Sequence, residues 1–171
     1  MVIQDGGTGI GLSDIKRKHN NRIKEEMKGI CTFCGHAQTP DHIKSLLKEV
    51  IEELIINGKA DTFYVGSQGQ FDRMALSVLR ELKETYSQIQ YAIVLAYIPG
   101  ARTEYDDDTP TIYPEGLELV PKKFAIVHRN RWMVAQSEYL IAYVQHSWGG
   151  AAQTLTYAKR RGVNMSNLAN Q

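Results

Sequence analysis

The sequence predicts an α/β fold, an open and mainly parallel sheet with helices on both faces. Short apolar runs of strand length alternate along the chain with longer segments whose apolar residues recur at helical spacing. The run over residues 90–98 is continuously apolar from Ala92 to Ala96, which is typical of a parallel strand buried on both faces. Strands that alternate with helices are joined by right-handed crossovers, and these place helices over both faces of the sheet.

Each element follows from its own local pattern. The predicted strands are residues 30–34, 62–65, 90–98, 139–144 and 164–168. The helices predicted in the same region are residues 41–56, 71–86, 122–137 and 150–161. Thr39 and Pro40 indicate the start of the first helix. A long loop over residues 99–121 contains Asp106, Asp107 and Asp108, and a loop of that length within one domain is usually functional or mobile.

Residues 1–28 differ in character from the rest of the chain. A glycine-rich segment precedes a predicted charged helix, which Ser13 or Asp14 can cap and which runs to about Lys28. The apolar residues of this helix are few, namely Ile15, Ile23 and Met27. We therefore expect a flexible or helical amino-terminal arm over residues 1–28 and one folded domain over residues 29–171.

Composition and charge exclude several classes of protein. Twenty basic residues nearly balance nineteen acidic ones, so the net charge is only +1, whereas a domain that binds nucleic acid non-specifically is usually far more basic. The charge therefore does not favour a nucleic acid partner. Because the sequence has no long apolar run and no hydrophobic secretion segment, we expect no membrane span and a cytoplasmic protein.

Two cysteines resemble half of a zinc site. Cys31 and Cys34 have His36 and His42 nearby in the sequence. A strand, however, directs the side chains of residues three apart to opposite faces, and the sequence has no second cysteine pair. We expect both cysteines to be buried, and we predict no metal site.

Glycines and polar residues follow several of the predicted strands. In an open parallel sheet, ligands bind at the carboxyl ends of the strands, where the strand order reverses. Glycine allows a ligand to approach the backbone closely, and a helix amino terminus offers free N–H groups to an anion. The residues predicted to contact a ligand on this basis are Gly35, His36, Gly66, Ser67, Gln68, Gly69, Ser147, Trp148, Gly149 and Gly150.

Charged and aromatic residues on two predicted helices extend this candidate site. Asp72 can either cap the first turn of its helix or accept a hydrogen bond from a ribose hydroxyl. Arg129 and Arg131 can pair with a phosphate, and Trp132 can stack on a base. Asn130, between the two arginines, is a further predicted ligand contact. Neighbouring residues on a helix point in different directions, so at most two of these can share a site. The alternative is a solvated basic turn with Trp132 in the core.

Five blocks of the sequence occur in an order that resembles the SLOG superfamily, and within it the YpsA-like proteins. The blocks are residues 31–36 (CTFCGH), 66–72 (GSQGQFD), 128–133 (HRNRWM), 147–152 (SWGGAA) and 157–162 (YAKRRG). The resemblance covers about residues 29–169, which is nearly everything except the predicted arm.

The resemblance implies a Rossmann-like sheet with a pocket for nucleotides or nucleotide-derived signals. Members of the superfamily include sensor domains of bacterial conflict systems, the DNA-processing protein DprA and the Lonely Guy phosphoribohydrolases. Those hydrolases carry a proline-glycine-glycine signature that ends in a catalytic glutamate. Here Trp148 stands at the proline, and no glutamate appears up to Arg161. Ala37 also stands where many YpsA-like members have arginine.

Three functions remain open at this point. The first is a domain that binds a nucleotide or an ADP-ribose-like molecule as a sensor or sequestering protein, without turnover and with no other cofactor. The second is a hydrolase of the N-glycosidic bond of a nucleoside monophosphate, for which the candidate catalytic carboxylates are Asp72, Glu115 and Glu138. The third is an interaction protein whose pocket no longer acts. The sequence also leaves open whether the chain forms a homo-oligomer.

Overall fold

Six strands form one open sheet in which every pairing is parallel. The structure is a computed structural model that describes residues 28–100 and 108–170. Its strands are β1 (Gly29–Gly35), β2 (Ala60–Val65), β3 (Gln90–Val94), β4 (Thr111–Ile112), β5 (Tyr139–Tyr143) and β6 (Asn164–Asn167). They lie in the order β4-β3-β2-β1-β5-β6. The predicted α/β fold with an open parallel sheet is confirmed.

Helices cover both faces of this sheet. Within the described ranges they are α1 (Ile43–Ile56), α2 (Gln70–Thr85), α3 (Ala125–Gln136) and α4 (Gly150–Arg161). The larger hydrophobic core joins α1 and α2 to one face of the central strands. A smaller core joins α3 and α4 to the other face of β1 and β5. No helix in the described parts of the chain is long and apolar enough to cross a membrane.

Strand β1 lies at the centre of the sheet, between β2 and β5, and it is buried on both faces. The side chains of Cys31 and Phe33 belong to the larger core, and that of Cys34 belongs to the smaller one. This alternation follows from the pleat of a strand, which directs successive side chains to opposite faces. It also explains why the strand is an unbroken run of mainly apolar residues rather than an alternation of polar and apolar ones.

The strand order reverses between β1 and β5. The chain leaves β1 and adds β2, β3 and β4 on one side, and it then returns to place β5 on the other side of β1. Strand β1 continues toward α1 on one face, while β5 continues into α4 on the opposite face. Because the two connections leave toward opposite faces, a crevice opens between the carboxyl ends of these strands.

Two boundaries around the long predicted loop were wrong. Strand β3 ends at Val94 rather than at residue 98. Leu95 and Ala96 lie beyond its end but are still buried, so their apolar side chains extended the strand pattern in the sequence. Within the predicted loop, Thr111–Ile112 pairs with β3 as the edge strand β4. Two residues are too few to give a periodic pattern, and burial alone does not distinguish a strand from a buried turn.

Two helix starts were also wrong. The hydroxyl of Thr39 donates to the carbonyl oxygen of His36 at 3.1 Å instead of capping a helix, and α1 begins later, at Ile43. The helix predicted from residue 122 begins as a 3-10 turn over Lys122–Phe124 and becomes α-helical at Ala125. Residues 1–27, which include nearly all of the predicted arm, and residues 101–107 of the loop lie outside the described residues.

Gly35, the last residue of β1, provides a test of the packing between the sheet and α2. A β-carbon at Gly35 would lie 2.3 Å from Cγ of Phe71 and 2.6 Å from its Cβ. Phe71 is buried, and rotation of its side chain would not move its Cβ away from the added carbon. We predict that Gly35→Ala lowers the free energy of unfolding by about 2 kcal/mol, measured by urea denaturation. Gly100→Ala is the control, since a β-carbon there meets nothing within 4 Å; equal losses in both variants would contradict this packing.

Candidate functional site

A cleft of about 600 Å³ opens at the carboxyl ends of β1 and β5, where the strand order reverses. Its walls come from the end of β1, from the residues that follow β1, β2 and β5, and from the amino-terminal turns of α2, α3 and α4. Among the residues predicted from the sequence, the lining includes Gly35, His36, Gln68, Gly69, Asp72, Arg129, Asn130, Trp148, Gly149 and Gly150. The structure therefore brings residues from four separate blocks of the sequence to one surface.

Two helices begin at this cleft with the same backbone conformation. Gly69 caps α2 with φ 92° and ψ 175°, and Gly149 caps α4 with φ 89° and ψ 177°. Only glycine adopts this region readily, because a side chain would collide with the backbone. At Gly69 there is a second reason, since a β-carbon would lie 2.9 Å from Cα of Ala37. The two glycines thus fix how α2 and α4 enter the cleft.

The amino terminus of α4 offers hydrogen-bond donors to the cleft. Gly150 and Ala151 line the cleft, and their N–H groups have no acceptor among the residues that the structure describes. Free N–H groups at the positive end of a helix dipole form a site for an anion. At α2, by contrast, the first N–H is already used, because that of Gln70 donates to the carbonyl oxygen of Ala37 at 2.9 Å.

Asp72 is a buried carboxylate in the wall of the cleft. Its Oδ2 atom accepts a hydrogen bond of 2.8 Å from the N–H of Gln68. Burial raises the pKa of Asp72 to about 6, and the positive charge of Arg129 limits this rise. The carboxyl group therefore holds a proton at a higher pH than an exposed aspartate does.

Arg129 is almost completely buried beside Asp72, with an exposed fraction of 1%. Its Nη1 atom donates to the carbonyl oxygen of Val94 at 2.6 Å, and its Nε atom donates to Oδ1 of Asn130 at 2.8 Å. A β-carbon at Gly66 would lie 2.5 Å from Oδ2 of Asp72 and 3.0 Å from Nη1 of Arg129. Gly66 therefore allows these two charged groups to approach each other, and it does not itself line the cleft.

Four further residues that were predicted as ligand contacts do not line the cleft. Ser67 and Ser147 lie beside it, in the turns that contain Gly66 and Gly149. Arg131 points toward α4, where its guanidinium lies 5.5 Å from the centre of the Tyr157 ring. Trp132 packs against Tyr64 of β2, with ring centres 5.6 Å apart, rather than facing the cleft. The different directions of Arg129, Arg131 and Trp132 follow from their neighbouring positions on one helix.

The three candidate catalytic carboxylates lie apart from one another. Asp72 lines the cleft, but Glu138 lies at the amino ends of β1 and β5, away from the cleft, where its Oε2 accepts the N–H of Ile30 at 2.6 Å. Glu115 is exposed and is not part of the lining. Of the carboxylates in the described parts of the chain, only Asp72 lines the cleft.

Three aromatic rings stack at the mouth of the cleft. The rings of His36 and His146 lie 4.0 Å apart, and those of His146 and Trp148 lie 3.8 Å apart with an angle of 8° between their planes. The N–H of Gln145 donates to Nε2 of His36 at 2.8 Å, so the proton of the neutral ring lies on Nδ1. Burial, and then the neighbouring His146, lower the pKa of His36, which favours this neutral form.

Several lining residues were not predicted to contact a ligand. They are Phe33, Cys34, Ala37, Gln38, Ile126, Gln145, His146 and Ala151. Gln145 and His146 directly follow β5, so their position at a strand end was a signal for them. Ile126 lies in the first turn of α3, far along the chain from β1 and β5, and nothing in its local sequence indicates that it faces the cleft.

The two cysteines do not share a site. Cys31 belongs to the core beneath α1 and α2, and Cys34 belongs to the core beneath α3 and α4. Burial raises the pKa of both thiols well above its usual range. Within the described ranges, no group of three or more His, Cys, Asp or Glu residues could hold a metal ion.

The fold and the cleft define a Rossmann-like α/β domain with a ligand crevice at the reversal of strand order. The chain belongs to the YpsA SLOG family, whose model matches residues 26–166. The resemblance inferred from the five sequence blocks is therefore confirmed. A search of curated proteins found no match.

Two solved structures of DNA processing protein A share this fold. The protein from Helicobacter pylori, described for its binding of single-stranded DNA, is 16% identical with a TM-score of 0.54, over 85% of this chain and 71% of its own. The protein from Streptococcus pneumoniae is 15% identical with a TM-score of 0.60, over 82% of this chain and 50% of its own. The present chain thus spans about half of the second protein, and at these identities the likeness concerns the fold.

Because the pKa of Asp72 is raised, the free energy of unfolding should depend on pH. A carboxyl group whose pKa rises from 3.8 to about 6 on folding binds its proton more tightly in the folded chain. The stability that this group contributes is therefore complete below pH 4 and is lost as the pH rises toward 6, by about 3 kcal/mol in total. We predict that Asp72→Asn removes this loss, so that stability relative to the unmodified chain increases from pH 4 to pH 7.

Urea unfolding at pH 4, 5, 6 and 7 measures this difference. Glu118→Gln is the control, because it neutralises an exposed carboxylate outside the cleft. Its stability should follow that of the unmodified chain at each pH. If the stabilities of Asp72→Asn and the unmodified chain changed in parallel with pH, burial would not be destabilising the ionised form of Asp72, and the prediction would be wrong.

Proposed function

We propose that this cleft binds a nucleotide or a nucleotide-derived molecule such as ADP-ribose, and that the protein acts as a sensor or sequestering domain. The observation that carries the proposal is the pair of helices that begin at the cleft with glycines in one shared conformation. Gly150 and Ala151 offer unpaired N–H groups there, which suits a phosphate or a phosphorylated sugar. Membership of the SLOG family supports the same class of ligand.

The size and the polarity of the cleft suit a small ligand. Its volume of about 600 Å³ falls within the usual range of small-molecule sites, roughly 300–1,000 Å³. Asn130 and Gln68 add amide groups at its wall. The net charge of +1 and the fold-level likeness to the DNA-binding protein from Helicobacter pylori give no reason to propose a nucleic acid as the ligand.

Helix α4 favours recognition over catalysis. Residues 150–161 contain no carboxylate, whereas the Lonely Guy phosphoribohydrolases carry a glutamate in the corresponding segment. Thr154 lies in this helix instead, where its hydroxyl donates to the carbonyl oxygen of Gly150 at 2.9 Å. The same hydroxyl accepts from Nδ2 of Asn130 at 3.3 Å, so Thr154 connects α3 to α4. A structural contact thus occupies this part of the helix.

Binding without turnover is measured by calorimetry on a panel of compounds. The panel contains nucleoside mono-, di- and triphosphates, cyclic dinucleotides, ADP-ribose and ribose 5-phosphate. We predict that at least one of them binds and raises the melting temperature, and that it is recovered unchanged by chromatography. Native mass spectrometry of the freshly purified protein should then show the same class of molecule. The absence of any binding or thermal response would contradict the proposal.

A matched pair of glycine substitutions tests where the ligand binds. Gly149→Ala forces a side chain into the φ 89° conformation at the amino end of α4 and should reorient the N–H groups there, so we expect affinity to fall at least tenfold. Gly162→Ala also forces a side chain into a positive φ, here 73°, at the carboxyl end of the same helix, although this left-handed conformation is the less costly of the two. A β-carbon meets nothing within 4 Å at either position. Equal losses of affinity in both variants would show that general destabilisation, and not the anion site, is responsible.

The second candidate function is hydrolysis of an N-glycosidic bond, and Asp72 is the observation that favours it. A carboxyl group with a pKa of about 6 at the wall of a ligand cleft is suited to exchange a proton near neutral pH. In its ionised form it would also stabilise an oxocarbenium-like transition state.

Release of free base from a nucleoside monophosphate measures this activity. If the protein is a hydrolase, Asp72→Asn should lower the rate at least a hundredfold, because the variant loses the only carboxylate that lines the cleft in the described parts of the chain. Glu115→Gln is the control and should keep full activity, since Glu115 is exposed outside the cleft. A complete lack of base release by the unmodified protein excludes this function and leaves the binding proposal intact.

A further inference from the structure

We propose that the outer face of the Trp148 indole is a stacking platform for the nucleobase of the ligand. The proposal rests on the proposed function, and it narrows the ligand class from any phosphorylated sugar to a molecule that also carries a planar aromatic base. It also divides the cleft into two parts, with the phosphate at the amino terminus of α4 and the base at Trp148.

Trp148 is the outermost member of a column of rings. The column starts at the sheet, where the edge of His36 meets Tyr143, the buried last residue of β5, at 6.2 Å between ring centres and 77° between planes. His146 stacks on His36 at 4.0 Å, and Trp148 stacks on His146 at 3.8 Å. The near-parallel spacing of the last two rings is that of stacked aromatic groups, so a further ring can extend the column outward.

Hydrogen bonds hold this column in place before any ligand binds. The N–H of Gln145 donates to His36, and Nδ1 of His146 donates to the carbonyl oxygen of Trp148 at 3.0 Å. The middle ring is thereby tied to the backbone of the residue whose side chain it supports. A platform that is already ordered costs little conformational entropy when the ligand binds.

The outer face of Trp148 is open. Trp148 is 70% exposed, although one face of its indole is covered by His146. Among the described residues, His146 is the only ring that contacts it. A large exposed aromatic ring at the mouth of a polar cleft is suited to bind a flat, apolar surface, and every nucleobase has one. Because Gly149 follows Trp148 directly, the platform lies next to the helix terminus that would hold the phosphate.

The fluorescence of Trp148 reports directly on stacking. The chain has two tryptophans, so in Trp132→Phe, with excitation selective for tryptophan, the indole emission comes from Trp148 alone. This variant is titrated with AMP and ADP-ribose, which carry a base, and with ribose 5-phosphate and pyrophosphate, which do not. We expect strong quenching by the first pair alone. In the otherwise unmodified chain, Trp148→Ala should weaken AMP binding on the order of 5- to 100-fold and leave the weak binding of ribose 5-phosphate unchanged.

Two further variants separate stacking from other effects. Trp148→Phe keeps an aromatic face and should retain most of the affinity for AMP, whereas Trp148→Leu keeps only apolar surface and should lose it. Phe124→Ala is the matched control, because Phe124 is an exposed aromatic residue outside the cleft. Circular dichroism and the melting temperature confirm that each variant is folded.

The outcomes distinguish this proposal from the one on which it rests. If AMP and ribose 5-phosphate bind with equal affinity and neither quenches Trp148, the platform is wrong while the anion site stands. Adenosine, which has a base and no phosphate, is titrated in the same way. If adenosine quenches Trp148 but no phosphorylated compound binds more tightly than adenosine, the platform stands and the anion site is wrong. If none of these compounds binds, both proposals are overturned.

Discussion

The structure depends on two charged side chains that are buried together beneath the cleft. Asp72 comes from α2 on one face of the sheet, and Arg129 comes from α3 on the other. Their side chains meet at Gly66, just beyond the carboxyl end of β2. Burying such groups is costly unless hydrogen bonds compensate for the lost water. The N–H of Gln68 compensates Asp72, and the carbonyl oxygen of Val94 compensates Arg129. These bonds tie the ends of β2 and β3 to the starts of two helices.

This arrangement assigns different roles to glycines that look alike in the sequence. Gly66 has no side chain because Asp72 and Arg129 occupy the space that a β-carbon would need. Gly69 and Gly149 have no side chain because of their backbone conformation at the helix starts. Of these three glycines, Gly69 and Gly149 line the cleft and Gly66 does not, so the glycines that shape the ligand site are supported by one that makes room for the buried charges.

The chemistry of the cleft depends on the residues that line it in this chain. Helix α4 has no carboxylate, and its amino terminus offers N–H groups beside the ring of Trp148. Ala37 stands where many YpsA-like proteins have arginine, and its backbone is engaged in the start of α2 through Gln70 and Gly69. Of the carboxylates in the described parts of the chain, Asp72 alone lines the cleft, and it accepts a hydrogen bond from the N–H of Gln68. These features are the reasons for proposing that the cleft holds a ligand rather than cleaving it.

The sequence by itself determined the alternation of strands and helices, the parallel sheet and the location of the cleft at the carboxyl ends of its strands. Those features follow from apolar periodicity and from glycines at strand ends, which are local properties of the chain. Only the tertiary structure decided that Arg129 faces the cleft while Arg131 does not. It also decided that Glu138 lies at the amino ends of the strands, away from the cleft, and that Thr111–Ile112 pairs with β3 as β4. The tertiary structure also stacks the ring of His146 between those of His36 and Trp148. These outcomes depend on contacts between residues far apart in the chain, and no local pattern encodes such contacts.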